Sequence, residues 1–134
     1  EGLNNNIPLR LLPLTDQEKS CTVDLHLITA KPVLYVINVF DFEKDRGHID
    51  AIKAYAEKEG SKCVVISGDI EAEISRMDPS EQADYYEDMG IKESGLQRLI
   101  RETYNLLGLA TYFTAGPKEV RAWTIHHGDT APKE

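Results

Sequence analysis

Two short runs of β-branched and aromatic residues, separated by a helical pattern, constrain the fold most strongly. They occupy residues 33–37 (VLYVI) and 63–66 (CVVI). Neither run alternates with polar residues, which is typical of strands covered on both faces, as in a parallel sheet. Between them, apolar residues over 48–59 recur at helical spacing, and Gly60 follows where a left-handed cap would end a helix. This order predicts an α/β fold built on a βαβ unit with a right-handed crossover.

Capping signals predict further helices on both sides of this unit. Residues 15–18 (TDQE) form a capping box, and we expect a short helix from there to about residue 26. After the second strand, helices are expected over residues 70–76, from Asp78-Pro79 to Gly90, and from Ser94 to Gly108.

The hydrophobic pattern changes to period two after Gly108. Residues 110–114 and 119–125 lie on either side of a Gly-Pro turn, which predicts a β-hairpin with its aromatic residues in a small core. We place a domain boundary near Gly108. Because a lone hairpin is marginally stable in water, the second domain is expected to be truncated.

Composition and charge exclude several classes of protein. The chain has 134 residues, with 15 Lys+Arg against 23 Asp+Glu and a net charge of −8. Such acidity argues against binding duplex DNA by phosphate neutralisation. No apolar run approaches the roughly 20 residues that a membrane helix needs, so no membrane partner is expected. The two cysteines form no C-x-x-C motif, which is typical of reduced thiols in a cytosolic protein.

A metal site is not predicted. His126 and His127 are adjacent in the sequence, and neighbouring residues on a strand point to opposite faces of the sheet. The two imidazoles therefore do not converge on one ion.

Polar residues follow both predicted strands at their carboxyl ends. Asn38, Val39 and Asp41 follow the first strand, and Ser67 and Gly68 follow the second. Ligands of open α/β sheets bind beyond the carboxyl ends of the strands. Amide, carboxylate and backbone N–H groups together could recognise the edge of a purine base, with Val39 contributing through its backbone. Alternatively, Asn38 and Asp41 are ordinary turn residues at a strand end.

Four segments resemble the YchF/Obg-like ATPase family. They are residues 27–39 (LITAKPVLYVINV), 93–96 (ESGL), 112–116 (YFTAG) and 119–125 (EVRAWTI). The resemblance extends over about residues 9–133, and its last segment is the most specific because it is long and uncommon. It implies the carboxyl-side part of a P-loop NTPase parallel sheet, followed by the start of a β-grasp TGS domain.

The resemblance also implies domain limits and a base-recognition loop. Residues 1–26 would end a helical insertion, 27–108 would be the last part of the nucleotide-binding domain, and 109–134 would begin TGS. Guanine-binding GTPases carry N-K-x-D at the base loop, whereas this family has N-x-x-E and favours ATP. Here Val39 replaces the lysine and Asp41 the glutamate, so that ATP is favoured while recognition of guanine stays open.

Phosphate-binding elements are absent from the sequence. No G-x-x-x-x-G-K-[ST] motif occurs, so that nothing would hold phosphates or coordinate Mg²⁺ in the Walker manner. The resemblance implies a cytoplasmic ATP- or GTP-binding hydrolase, with Mg²⁺ in the intact parent and with the ribosome or translation-associated proteins as partners. We predict that this chain supplies base recognition, contains no catalytic residue and does not hydrolyse nucleotide alone. The alternative is a non-catalytic docking module that acts through the hairpin and the acidic helices.

Overall fold

A computed structural model describes residues 2–88 and 93–130 of the protein. The chain divides into two compact units, Glu1–Val33 and Leu34–Glu134. The domain limits expected from the resemblance stay a prediction. The helix end expected at Gly90 lies outside the described residues.

The first unit contains helix α1, Asp16–Val23, and three single-turn 3-10 helices. The predicted capping box is confirmed, because the Glu18 amide donates to the Thr15 hydroxyl and the Thr15 amide donates to the Glu18 carboxylate. Helix α1 ends before the predicted residue 26. The Thr22 hydroxyl bonds to a carbonyl of the last turn, and His26 takes a φ of 47°, which a right-handed helix cannot include.

The second unit opens with the predicted strand–helix–strand order. Strand β1, Leu34–Asn38, pairs in parallel with β2, Lys62–Ile66, and helix α2, Arg46–Lys58, connects them. Gly60 takes the expected left-handed conformation after α2, with a φ of 65°. The core between sheet and helix is formed by Ile37, Val39 and Ile49. The mixed α/β fold with a parallel sheet is therefore confirmed.

Three helices follow β2: α3, Gly68–Ile74; α4, Pro79–Asp88; and α5, Gly95–Leu107. Helix α3 begins two residues earlier than predicted, because the Ser67 carbonyl already accepts the Glu71 amide as the first helical bond. Helix α5 has the expected ends, a Ser94 capping box and a left-handed Gly108.

Gly95 lies where β2, α3 and α5 meet, and we expect a side chain at this position to be destabilising. Its amide donates to the Glu71 carboxylate at 2.6 Å. A Cβ there would lie 2.8 Å from the same carboxylate oxygen and 3.1 Å from Cγ2 of Ile66. Gly95→Ala should therefore lower the free energy of unfolding by about 1–3 kcal/mol, as measured by urea denaturation.

The matched control is Gly47→Ala in α2, where a Cβ would meet nothing within 4 Å. Alanine is the better helix former, and this change should raise the free energy of unfolding by about 0.4–1 kcal/mol. Equal effects of the two substitutions would contradict the packing described for Gly95.

The predicted hairpin is present. Strand β3, Leu109–Ala115, pairs antiparallel with β4, Val120–His126, and Tyr112 lies opposite Trp123. The expectation of an aromatic hairpin core is wrong, because Phe113 is 73% exposed and Trp123 is 42% exposed. A two-stranded sheet has too few neighbours to bury both of its faces.

Candidate functional site

The two predicted turns lie side by side at the carboxyl edge of the parallel strands. Asn38 is the register partner of Ile66, the last residue of β2. Just beyond it, the Val39 amide donates to the Ile66 carbonyl at 2.9 Å. The side chains continue this pairing, since Oδ1 of Asn38 accepts the Gly68 amide at 2.9 Å. One side-chain hydrogen bond thus joins the turn after β1 to the turn after β2.

The Asn38 side chain is exposed, and its carbonyl oxygen already accepts a hydrogen bond from the protein. Because Oδ1 accepts from Gly68, the end that remains to recognise a ligand is the Nδ2 amino group, a hydrogen-bond donor. A donor of this kind suits the ring nitrogen acceptors of a purine, such as N7. A Cβ at position 68 would lie 3.4 Å from Oδ1, which is ordinary van der Waals contact, so this hydrogen bond does not require a glycine there.

The backbone groups expected to face a base are partly committed within the protein. Val39 is 5% exposed and packs in the core, and its amide is bonded to Ile66, so any backbone contact would use its carbonyl oxygen. The Gly68 amide is bonded to Asn38 rather than directed to a ring. Ser67 is 4% exposed, and among the described residues its hydroxyl has no hydrogen-bond partner.

Asp41 occupies a turn position and binds residues that follow it closely. Its Oδ1 accepts the amides of Glu43 and Lys44 at 3.0 and 3.1 Å, and its Oδ2 lies 3.0 Å from Nζ of Lys44. Hydrogen bonds from the side chain and then the backbone of Lys44 lower the pKa of Asp41. These contacts fit the alternative of an ordinary turn residue, and recognition of a base by Asp41 stays a prediction.

Asp45 holds the first turn in place and was not among the predicted site residues. Its Oδ2 accepts the amides of Phe40 and Asp41 at 3.1 and 3.2 Å. Its own amide donates to the Asp41 carbonyl at 2.9 Å. Asp45 occupies the N-cap position of α2 but makes no side-chain cap hydrogen bond to that helix, so a capping signal in the sequence would not have shown that it holds the preceding turn.

The cysteines, the side chains that could ligate a metal and the helices bear on other kinds of site. Cys21 and Cys63 are both free thiols. Over residues 2–88 and 93–130 no group of three or more His, Cys, Asp or Glu side chains is placed to hold a metal ion. Within the same ranges no helix is both long and apolar enough to span a bilayer.

Strand, helix and strand with polar turns at the carboxyl edge define an α/β protein of the open-sheet class, in which that edge is the ligand-binding edge. The family described as "YchF-GTPase_C: Protein of unknown function (DUF933)" matches residues 109–134. Similarity to individual proteins extends much further along the chain.

Several curated relatives, from different bacteria, carry the name ribosome-binding ATPase YchF. The protein from Bacillus subtilis is 41% identical over 137 residues, covering 99% of this chain and 37% of the relative. The protein from Escherichia coli O157:H7 is 43% identical over 132 residues, covering 98% of this chain and 36% of the relative. The chain thus spans little more than a third of the length of these relatives.

A solved structure shows the same arrangement. The YchF GTPase of Schizosaccharomyces pombe superposes with a TM-score of 0.83 at 29% identity, over 97% of this chain and 35% of that structure. The chain belongs to the YchF family.

Proposed function

We propose that this chain supplies the base-recognition turns of a YchF-type nucleotide-binding protein that binds and hydrolyses ATP, with GTP as the alternative nucleotide. Asn38, Val39 and Asp41 form one side of the base site, and Ser67 and Gly68 form the other. Phosphoryl transfer depends on groups that position and neutralise the phosphates. Since the sequence has no phosphate loop, catalysis is assigned to no residue of this chain.

The observation that carries this proposal is the hydrogen bond between Oδ1 of Asn38 and the Gly68 amide, 2.9 Å long. It joins two turns that are 30 residues apart in sequence at the edge where ligands of α/β sheets bind. It also orients Asn38 so that the amino group is the end available to a ligand. An ordinary strand-end turn would not require a bond between the two loops.

The proposed domain limits, ribosome association and Mg²⁺ requirement rest on the similarity to the YchF family. Residues 1–26 are proposed to end a helical insertion, 27–108 to complete the nucleotide-binding domain, and 109–134 to begin a TGS domain. Relatives are named ribosome-binding ATPases, and we extend ribosome association to this protein as part of the proposal. Mg²⁺, which the family implies for the intact parent, would be held with the nucleotide phosphates by a phosphate loop, a motif that does not occur in this sequence.

The substitution Asp41→Glu tests the base-reading role most specifically. A longer carboxylate extends beyond the turn contacts with Lys44 and restores the family pattern, so we expect the ratio of ATP to GTP affinity to rise by about fivefold. The ratio is measured by NMR titration of the 134-residue chain with each nucleotide, and binding should be weak because the phosphate contacts are missing. The control is Asp50→Glu, which makes the same change at an exposed position on α2. An unchanged ratio for Asp41→Glu would remove Asp41 from the site.

A docking module is the second candidate function, and one observation favours it. The hairpin exposes Phe113, Val120 and Trp123, with exposed fractions of 73%, 72% and 42%. Phe113 and Val120 lie on one face of the hairpin, and Trp123 lies on the other. Apolar side chains exposed on the same face, as Phe113 and Val120 are, are typical of surfaces that bind other macromolecules. Ribosome binding that survives loss of nucleotide binding would favour this second function over the first.

A further inference from the structure

A pocket of about 310 Å³ lies at the end of β2, among α3, α4 and α5. We refer to it as the α3–α5 pocket. Its apolar and aromatic lining comes from Phe42, Ile66, Ile70, Ile74 and Tyr86. Concave sites with mostly apolar walls and a few polar groups are the usual binding sites of small molecules.

Some polar groups of the α3–α5 pocket are hydrogen-bonded within the protein, and one is not. The Glu71 carboxylate accepts the Gly95 amide, and Nη2 of Arg98 donates to the Val65 carbonyl at 3.1 Å. Ser67 is different, since its hydroxyl is buried and has no hydrogen-bond partner among the described residues. Buried polar groups are normally bonded, because leaving one unpaired is costly.

We propose that the α3–α5 pocket binds a small neutral molecule that has an apolar body and one hydrogen-bonding group. The Ser67 hydroxyl would bond to that group, while Ile66, Ile70 and Ile74 would contact the apolar body. A neutral ligand is favoured because the two charged groups of the lining, Glu71 and Arg98, are opposite in sign and each already bonds to the protein backbone.

This pocket adjoins the proposed base site and shares Ser67 with it. Ser67 lines the pocket and directly precedes Gly68, whose amide is held by Asn38 on the other turn. A ligand bonded to Ser67 would therefore stabilise the second turn in the position that the base site uses. That consequence rests on the proposed function, whereas binding to the pocket does not.

Phenol and benzene are suitable probes because they differ by one hydroxyl group. We expect phenol, titrated into the isotopically labelled 134-residue chain, to cause saturable amide shifts within residues 66–74 and 94–98. Benzene should shift the same amides but bind more weakly. Ser67→Ala should weaken phenol binding by about fivefold, the value of one hydrogen bond, and leave benzene binding unchanged.

The matched control is Ser75→Ala at the carboxyl end of α3. The Ser75 residue is exposed, and its hydroxyl donates to the Ala72 carbonyl. It should leave phenol binding unchanged. The proposal is overturned if phenol causes no saturable shifts at the pocket, or if Ser67→Ala binds phenol as well as the unmodified chain does. Should Ser67→Ala fail to fold, equal affinities of the unmodified chain for phenol and benzene would overturn it instead. Because Ser67 belongs to both sites, nucleotide binding is tested instead at Asn38, which does not line the pocket, and the two proposals fail independently.

Discussion

Replacing Asn38 by alanine is expected to weaken the binding of adenosine and ATP to this chain by about tenfold. Two interactions are lost together. The Nδ2 donor proposed to bond to the base is removed, and the Gly68 amide loses the acceptor that now lies 2.9 Å away. The second turn is then no longer joined to the first by a side chain. NMR titration of the two proteins with each ligand measures the change.

The substitution Asn38→Asp separates these two contributions. A carboxylate can still accept the Gly68 amide, but it has no donor for a purine nitrogen. We expect Asn38→Asp to keep the Gly68 amide hydrogen-bonded, seen as slow exchange of that amide with solvent, and yet to bind adenosine as weakly as Asn38→Ala. Adenosine is the better ligand for this comparison because it has no phosphates that the new charge would repel. If Asn38→Ala binds adenosine with unchanged affinity, Asn38 does not recognise the base.

The substitution Ile37→Ala is expected to lower the free energy of unfolding by about 2–5 kcal/mol. Ile37 is 7% exposed and packs with Val39 and Ile49 between the parallel strands and α2. Truncation leaves a cavity under the strand that ends at Asn38. Since domains are stable by only about 5–15 kcal/mol, much of the total would be lost. Urea denaturation followed by circular dichroism gives the value.

Val36→Ala is the control for this prediction, because Val36 is the preceding residue on the same strand and is 46% exposed. It loses a side chain of similar shape without opening a buried cavity, and we expect it to cost less than about 1 kcal/mol. Equal losses for Val36→Ala and Ile37→Ala would contradict the core described here.

The fold could be predicted from the sequence where local signals and burial agree. The uninterrupted apolar runs of β1 and β2 predict a parallel pair, and the pair is present. Ser94 and Gly108 mark the ends of α5 because a side-chain acceptor and a positive φ are local requirements. The exposure of Trp123 could not be predicted in this way, because it depends on which other elements cover the hairpin.

The site could be predicted only in part. Its location follows from parallel strands, whose carboxyl ends meet at one edge of the sheet. The internal hydrogen bonds do not follow, because an amide or a carboxylate at a turn can bond to the protein or to a ligand. Asp41 bonds to Lys44, Asp45 holds the turn, and the Gly68 amide is taken by Asn38. Composition and spacing do not distinguish these outcomes.

The most direct test of base recognition is a map of the backbone amides that respond to ATP. We expect the amides of residues 38–41 and 67–69 to shift together and to saturate at one common affinity as ATP is added to the 134-residue chain. Adenosine should shift the same amides, because the phosphates find no partner in this chain. Saturable shifts confined to other parts of the protein, or shifts in only one of the two turns, would contradict the account.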